Sequence, residues 1–294
     1  MRRGRIGRLE VGEGHPVRLM GIINVSPESF HKSSVRRDAE SIRRTVIDMV
    51  EAGADLIDVG GMSSAPYVEA TISEDEEVER IRMAVRAVRE VTELPISLDT
   101  YRVRPALEGL RLGVDAINDV YGLYYLREVL REIYESGTSL VIMARDVESG
   151  DIIDGIRRRL KSSIDIALAF GIEEERVIID PGIGFHRNHE GMKWYEADLT
   201  ILRRIDELQD LGRPLLIGCS MKSFIGKVTG RKSTDERIYG SIASEAFAVI
   251  KGADVIRTHN VRESGDAIRM ASSLIARPVR NNFSLKGSEP PSNE

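Results

Sequence analysis

The sequence predicts an α/β protein folded as a (β/α)8 TIM barrel, and three observations carry that prediction. Short apolar segments, many rich in β-branched residues, recur eight times along the chain. Between them lie stretches whose apolar residues repeat at the helical period. No Pro- or Ser-rich linker separates the repeating units, so the strands are joined by helical crossovers and run parallel. A closed barrel accounts for eight such units better than the alternative, an open doubly wound sheet.

The candidate strands are residues 19–24, 55–60, 96–99, 116–119, 139–143, 177–180, 215–218 and 254–258. Ile42, Val46, Met49 and Val50 mark the apolar face of the first intervening helix, and Val78, Ile81, Val85 and Val88 that of the second. Glycines stand where helices must end before the next strand, at Gly53, Gly113, Gly137, Gly171, Gly212 and Gly252, the residue type that accepts a left-handed C-cap. Ser73 followed by Glu76 reads as a capping box at the second helix start. Residues 1–18 read as an N-terminal hairpin or extension, 19–280 as the barrel, and the polar 281–294 as a disordered tail.

Composition narrows the function classes. With 294 residues, 41% hydrophobic and 30% charged, the chain can bury a large core. Its net charge of −5 provides no basic field for nucleic acid or a membrane surface. A single cysteine, Cys219, can form no internal disulfide and no thiolate zinc cluster, and it reads as a packed small residue. No apolar run reaches signal-peptide or membrane-span length, which together with the lone thiol predicts a cytoplasmic protein.

A (β/α)8 barrel builds its site at the C-terminal ends of its strands. Here those ends are Asn24, Asp58, Asp99, Asn118 with Asp119, Arg145, Asp180, Ser220 with Lys222, and Arg257 with His259. Asp99, Asn118 and Asp180 offer oxygens to a planar ring rich in N–H donors, such as a 2-amino-pyrimidinone, and Lys222 offers that ring a donor. Arg257 and His259, separated by Thr258, can share a face and hold an anion such as a phosphate. Asn24 is a hard oxygen ligand suited to Mg²⁺. His186 and His189 form a weaker metal candidate, and Trp194 and Tyr195 read as packing. The set suggests a heterocycle held beside a phosphate.

These residues lie in motifs that resemble those of dihydropteroate synthases. The likeness starts at Met20-Gly21-Ile22-Ile23-Asn24-Val25-Ser26-Pro27-Glu28-Ser29-Phe30 and at Ala54-Asp55-Leu56-Ile57-Asp58-Val59-Gly60-Gly61. It continues through Ile96-Ser97-Leu98-Asp99-Thr100, Ile117-Asn118-Asp119 and Ile179-Asp180-Pro181-Gly182-Ile183-Gly184-Phe185. Ser220-Met221-Lys222-Ser223-Phe224-Ile225-Gly226 and Ile256-Arg257-Thr258-His259 complete it, in matching order and spacing over roughly residues 19–276.

The resemblance implies a transferase that joins 6-hydroxymethyl-7,8-dihydropterin pyrophosphate to an aryl amine and releases pyrophosphate. It implies a pterin held by Asp99, Asn118, Asp180, Phe185 and Lys222, a pyrophosphate held by Ser64, Arg257 and His259, and Mg²⁺ at Asn24. Lys222, Asp99, Arg257 and His259 are the residues it makes catalytic, and a homodimer through the later helices is the assembly it implies. A corrinoid-dependent methyltransferase of the methyltetrahydrofolate type and a non-catalytic pterin-binding homologue remain as other readings.

The sequence departs from the family pattern at Ala65 and Met221, where the family carries Arg, at Ala144 in place of a His, and at His31-Lys32-Ser33-Ser34. Two missing cations predict an acceptor without the usual benzoate carboxylate. A ribofuranosyl-aminobenzene phosphate of methanopterin synthesis is one such amine, its phosphate meeting Lys32, Arg36, Arg37 or Arg187. p-Aminobenzoate of folate synthesis is the simpler acceptor.

Overall fold

The computed structural model describes residues 2–25, 38–63 and 72–279. Lys32, Arg36, Arg37, the departure at 31–34, Ser64, Ala65 and the tail read at 281–294 lie outside the described residues.

Two short strands, β1 (Arg3–Ile6) and β2 (Leu9–Gly12), precede an alternation of strand and helix. It runs β3 (Arg18–Asn24), α1 (Ala39–Glu51), β4 (Leu56–Gly60), α2 (Glu74–Arg89), β5 (Ile96–Asp99), α3 (Val103–Arg111), β6 (Ala116–Asp119) and α4 (Leu130–Ser136). The second half is β7 (Ser139–Met143), α5 (Ile152–Ala169), β8 (Val177–Asp180), α6 (Trp194–Arg204), β9 (Leu216–Ile217), α7 (Ser223–Thr229), α8 (Ile238–Ile250), β10 (Val255–Thr258) and α9 (Val261–Leu274). The eight-stranded sheet has the order β8-β7-β6-β5-β4-β3-β10-β9. A parallel bridge between Ile179 and Leu215 joins its two edges, so the predicted (β/α)8 barrel closes.

The barrel strands are nearly continuous in apolar residues because helices cover one face and the barrel interior the other. Met20, Leu56, Ala116, Val141, Ile178, Leu216 and Val255 form a buried cluster with Ile6 and Val11. The antiparallel β1–β2 hairpin therefore packs its apolar side against the barrel's own interior residues. Helix α1 buries Ile42, Val46 and Met49, but Val50 is 38% exposed. The four-residue face drawn from the sequence was one position too wide, since Val50 turns 100° away from Met49. Helix α2 buries all four expected residues, and Ser73 Oγ accepts the Glu76 N–H at 3.1 Å. All six glycines expected to end helices have φ between 67° and 97°.

Three aspartates sit just before strands, at the N-terminal end of the barrel. Asp55 Oδ2 accepts the N–H of Leu19 at 2.9 Å, Asp115 Oδ2 that of Ile96 at 2.8 Å, and Asp254 Oδ2 that of Leu215 at 2.9 Å. Each is paired with an arginine: Arg18 at 3.6 Å, Arg89 at 2.7 Å and Arg277 at 2.6 Å. Asp55 and Asp254 thus precede their strands rather than open them, because their carboxylates bond the neighbouring strand's backbone. No helix among the described residues is long and apolar enough to cross a membrane.

Candidate active site

Strand register assembles the site at the opposite end. Asn24 pairs with Gly60, Gly60 with Asp99, and Asp99 with Asn118, which sets these residues side by side across four strands. On the far side, β7 sets Met143 opposite Asp180. Gly60 leaves room at this level: a Cβ there would lie 3.5 Å from Asn24 Oδ1 and 3.8 Å from Asp99 Cβ.

Arg257 crosses the mouth from β10. Its Nε donates to Asp58 Oδ2 at 2.7 Å and its Nη2 to Asp99 Oδ2 at 2.8 Å. Asn118 Nδ2 lies 3.4 Å from Asp58 Oδ1. Asp58, fully buried, is thus the residue that ties Arg257 and Asn118 together. The sequence reading placed it at a strand end but gave it no part in the ligand set. Asp99 Oδ1 is buried without a partner, and burial outweighs the nearby Arg257, pushing the Asp99 carboxyl up to about 7.

Asp180 Oδ1 accepts the Gly182 N–H at 2.7 Å, and burial raises its carboxyl as well. Lys222 Nζ bonds the Ile183 carbonyl; burial lowers its ammonium while Asp180 and Asp198 act in the opposite direction. Gly184, with φ of 89°, fixes the loop that carries this contact, and a Cβ there would lie 3.0 Å from Lys222 Cδ. Asp198 of α6 holds the same loop by accepting the Gly184 N–H at 2.6 Å.

An aromatic and cationic arc completes the rim. Lys222 Nζ lies 4.9 Å from the Phe185 ring centroid, and the Arg145 guanidinium 5.4 Å from Phe185 and 4.2 Å from Tyr121. Tyr121 in turn packs 4.5 Å from Tyr101. Phe185 and Lys222 were expected here. Tyr101 and Tyr121 were not, although each follows a strand end by two residues, a signal the sequence did contain.

His259 faces another part of the mouth. Its Nδ1 lies 3.1 Å from Ser220 Oγ and its Nε2 3.4 Å from Asn24 Nδ2. The structure brings His259 and Asn24 together, while Arg257 is engaged by carboxylates. Arg187 Nη2 donates to Ser223 Oγ at 2.5 Å, and its guanidinium lies 4.5 Å from the Trp194 ring. Trp194 and Tyr195 begin α6 and pack against the core. Met221 is buried, with φ of 58°. Its N–H donates to Ser241 Oγ of α8 at 2.9 Å and its carbonyl accepts from Arg237 at 3.0 Å.

His186 is structural: Nε2–H donates to the Pro181 carbonyl at 2.8 Å and Nδ1 accepts the Val147 N–H at 3.2 Å. Burial pushes its imidazole down to about 4. His189 is buried with both ring nitrogens unpartnered, and no cluster of three His, Cys, Asp or Glu among the described residues can hold a metal. Cys219 is fully buried, which raises its thiol and removes it as a nucleophile. The mouth therefore offers buried acceptors for a ring's N–H groups, one ammonium donor, and a separate His–Asn pair for an anion.

The sequence model of pterin-binding enzymes matches residues 20–259. A dihydropteroate synthase of Synechocystis sp. is 33% identical over 278 residues, covering 92% of this chain and 94% of its own length. The solved structure of a dihydropteroate synthase from Coxiella burnetii in complex with pteroic acid superposes with a TM-score of 0.82 at 31% identity, covering 93% of this chain and 98% of its own. That of the Xanthomonas albilineans dihydropteroate synthase with 4-aminobenzoic acid gives a TM-score of 0.79 at 30% identity, over 90% and 94% of the two chains.

Proposed function

Because the chain belongs to the dihydropteroate synthase family of pterin-binding enzymes, we propose that it transfers the pterinylmethyl group of 6-hydroxymethyl-7,8-dihydropterin pyrophosphate to 4-aminobenzoate, releasing pyrophosphate, in folate biosynthesis. The observation that carries this reading is the set of buried acceptors, Asp99, Asn118 and Asp180, opposite the Lys222 ammonium. Buried carboxyl groups raised by burial gain most from a ligand that brings N–H donors to them. A 2-amino-pyrimidinone ring does so, and Phe185 on the rim supplies an apolar face.

In the reaction the bond from the methylene carbon to the pyrophosphate oxygen breaks, the amine nitrogen bonds that carbon, and the nitrogen loses a proton. Charge accumulates on the leaving pyrophosphate, so donors from Arg257 and His259 stabilise the transition state more than the ground state. Asp58 keeps Arg257 aimed at the mouth when the pterin takes up Asp99. The methylene becomes cationic, and Asp99 and Asp180 offset that charge across the conjugated ring. The aryl amine is already a nucleophile, so its positioning matters more than a strong base. Arg187, beside Ser223, is the cation we assign to the acceptor carboxylate. With Met221 turned into the packing against α8, that role falls to Arg187.

Ser64 joins His259 and Arg257 in our assignment of the pyrophosphate site. The donor set fits Mg²⁺, which takes few protein oxygens and keeps water and phosphate ligands: Asn24 would hold it, and it would withdraw charge from the pyrophosphate oxygens. We also assign a homodimer through α8 and α9, whose outer faces expose Tyr239, Phe247, Ile250, Met270 and Leu274. Leu274→Glu is expected to shift the mass measured by light scattering from dimer to monomer, and a wild-type monomer contradicts the assembly. The reaction is tested by pyrophosphate release with 4-aminobenzoate or a ribofuranosyl-aminobenzene phosphate as acceptor. Release with 4-aminobenzoate supports the reading, release with the ribosylated amine alone moves the enzyme to methanopterin synthesis, and silence with both overturns the transferase.

A further inference from the structure

The Lys222 ammonium bonds a carbonyl whose peptide unit is held from its other side by a residue that the proposed reaction does not use. Gly182 to Phe185 form a β-turn, closed by the Phe185 N–H, which donates to the Gly182 carbonyl at 3.0 Å. Its central peptide unit joins Ile183 to Gly184. The carbonyl of that unit accepts from Lys222 Nζ, and its N–H, pointing the opposite way, donates to Asp198 Oδ1 on α6 at 2.6 Å. Asp198 is buried, and its Oδ2 has no hydrogen-bond partner among the described residues. One peptide unit therefore links a buried carboxyl group to the ammonium at the mouth.

Such a turn has two forms, which differ by a half-rotation of the central unit: type II needs a positive φ at the third residue, type I a negative one. Gly184 has φ of 89° and Ile183 is not left-handed, so the turn is type II. Glycine accepts either sign of φ, so Gly184 leaves the choice to the groups on each side of the turn. In type II the carbonyl meets an ammonium and the N–H meets a carboxylate. A half-rotation sets the N–H against the ammonium and the carbonyl against the carboxylate, two mismatched contacts. Burial pushes the Asp198 carboxyl up only to about 6, so above neutral pH it has no hydrogen to give a carbonyl. Without that acceptor the buried N–H is orphaned, which a fold tolerates less well than an orphaned carbonyl. Turning over then carries the N–H toward the mouth, and the long Lys222 side chain, also attracted by Asp180, swings aside.

We propose that Asp198 is a positioning residue of the transferase: by accepting the Gly184 N–H it holds the turn in its type II form, and the Ile183 carbonyl thereby fixes the Lys222 ammonium where it meets the pterin. An ammonium carries three hydrogens, so the one given to Ile183 leaves two for a ligand. That the ligand is a pterin rests on the function proposed above; the choice of turn does not. Asp198 touches no substrate, and its effect passes through one peptide unit to Lys222.

Crystal structures of the full chain without substrates read the turn, and calorimetric titration with a pterin at about pH 8 reads its consequence. The wild type is expected to show the type II turn with Lys222 on the Ile183 carbonyl. Asp198→Asn keeps an oxygen for the Gly184 N–H and is expected to retain that turn and a pterin Kd within about threefold. Asp198→Leu, similar in volume but without an acceptor, is expected to turn the central unit over, take the Ile183 carbonyl from Lys222 and raise the Kd about tenfold, the size of one hydrogen bond to a charged group. In a Lys222→Met background the same leucine change is expected to leave the Kd where Lys222→Met alone puts it, a coupling that general loosening of the loop does not produce. If Asp198→Leu does not fold, Asp198→Ala takes its place with the same expected rise and the same coupling. A type II turn kept with Lys222 on the Ile183 carbonyl when the acceptor is removed, no rescue by asparagine, or an equal rise in Kd with and without Lys222 overturns the proposal. A turn that goes over in a protein that binds no pterin supports the hold of Asp198 on Lys222 and counts against the pterin site alone.

Discussion

The two ends of the barrel both carry rings of carboxylates, and they differ in how completely those groups are satisfied. At the N-terminal end Asp55, Asp115 and Asp254 each accept a strand N–H and pair with an arginine. At the C-terminal end Asp99 keeps a buried oxygen without a partner, and burial raises the carboxyls of Asp99 and Asp180. One ring closes the fold, while the other, in the function proposed above, takes the N–H groups of the ligand. Residue type does not distinguish the two; the partners do.

The largest effect that can break this comparison is catalytic. Asp180→Asn exchanges an acceptor for a group that also donates, and loss of a hydrogen bond to a charged group corresponds to roughly 100-fold in kcat/KM. Steady-state pyrophosphate release checks it, with the melting temperature expected to hold. A fall in both together would place Asp180 in the structural ring.

Next in size is the reverse case. Asp254→Ala strands Arg277 and the Leu215 N–H, and leaving a buried group unpaired costs about 3 kcal/mol. Urea unfolding is expected to show that loss, with the kcat of the folded fraction kept. A large fall in kcat at unchanged stability contradicts the assignment.

Titration separates the ends further. The Asp99 carboxyl is raised from 3.8 to about 7, so the folded state holds its proton more tightly than the unfolded state does. That contribution is complete below pH 3.8 and is lost as pH rises through about 7. Asp99→Asn is therefore expected to lose less stability than the wild type between pH 4 and about pH 7, as read from unfolding midpoints across that window. Parallel curves for the two proteins contradict the raised carboxyl.

The smallest contrast lies in two glycines. Gly113, with φ of 73°, has nothing within 4 Å of a built Cβ, so Gly113→Ala carries only backbone strain, about 1 kcal/mol. Gly184→Ala adds a contact at 3.0 Å with Lys222 Cδ and is expected to lower pterin affinity as well as stability. Calorimetric titration with a pterin separates them, and equal affinities remove Gly184 from the site.

Much of this was legible in the sequence because the barrel imposes strong local patterns. Near-continuous apolar strands mark every unit and left-handed glycines precede six of them, and the strand ends announce Asn24, Asp99, Asn118 and Asp180 by type. What escaped were pairings across the chain. Arg257 reaches Asp58, 199 positions away, and only barrel closure brings β10 beside β3 and β4 into range of both. Asp55 and Asp254 looked like strand residues because an aspartate bonding a neighbour's backbone is written no differently from one at a strand end.

The most direct test of the account compares the two rings in one assay: the initial rate of pyrophosphate release from dihydropterin pyrophosphate and 4-aminobenzoate, measured side by side for wild type, Asp180→Asn and Asp115→Asn. Near-wild-type turnover per folded molecule in Asp115→Asn with loss of about 100-fold in Asp180→Asn is the predicted result. Equal turnover in the two variants, or no release by the wild type, would contradict the claim that the incompletely satisfied ring is the pterin site.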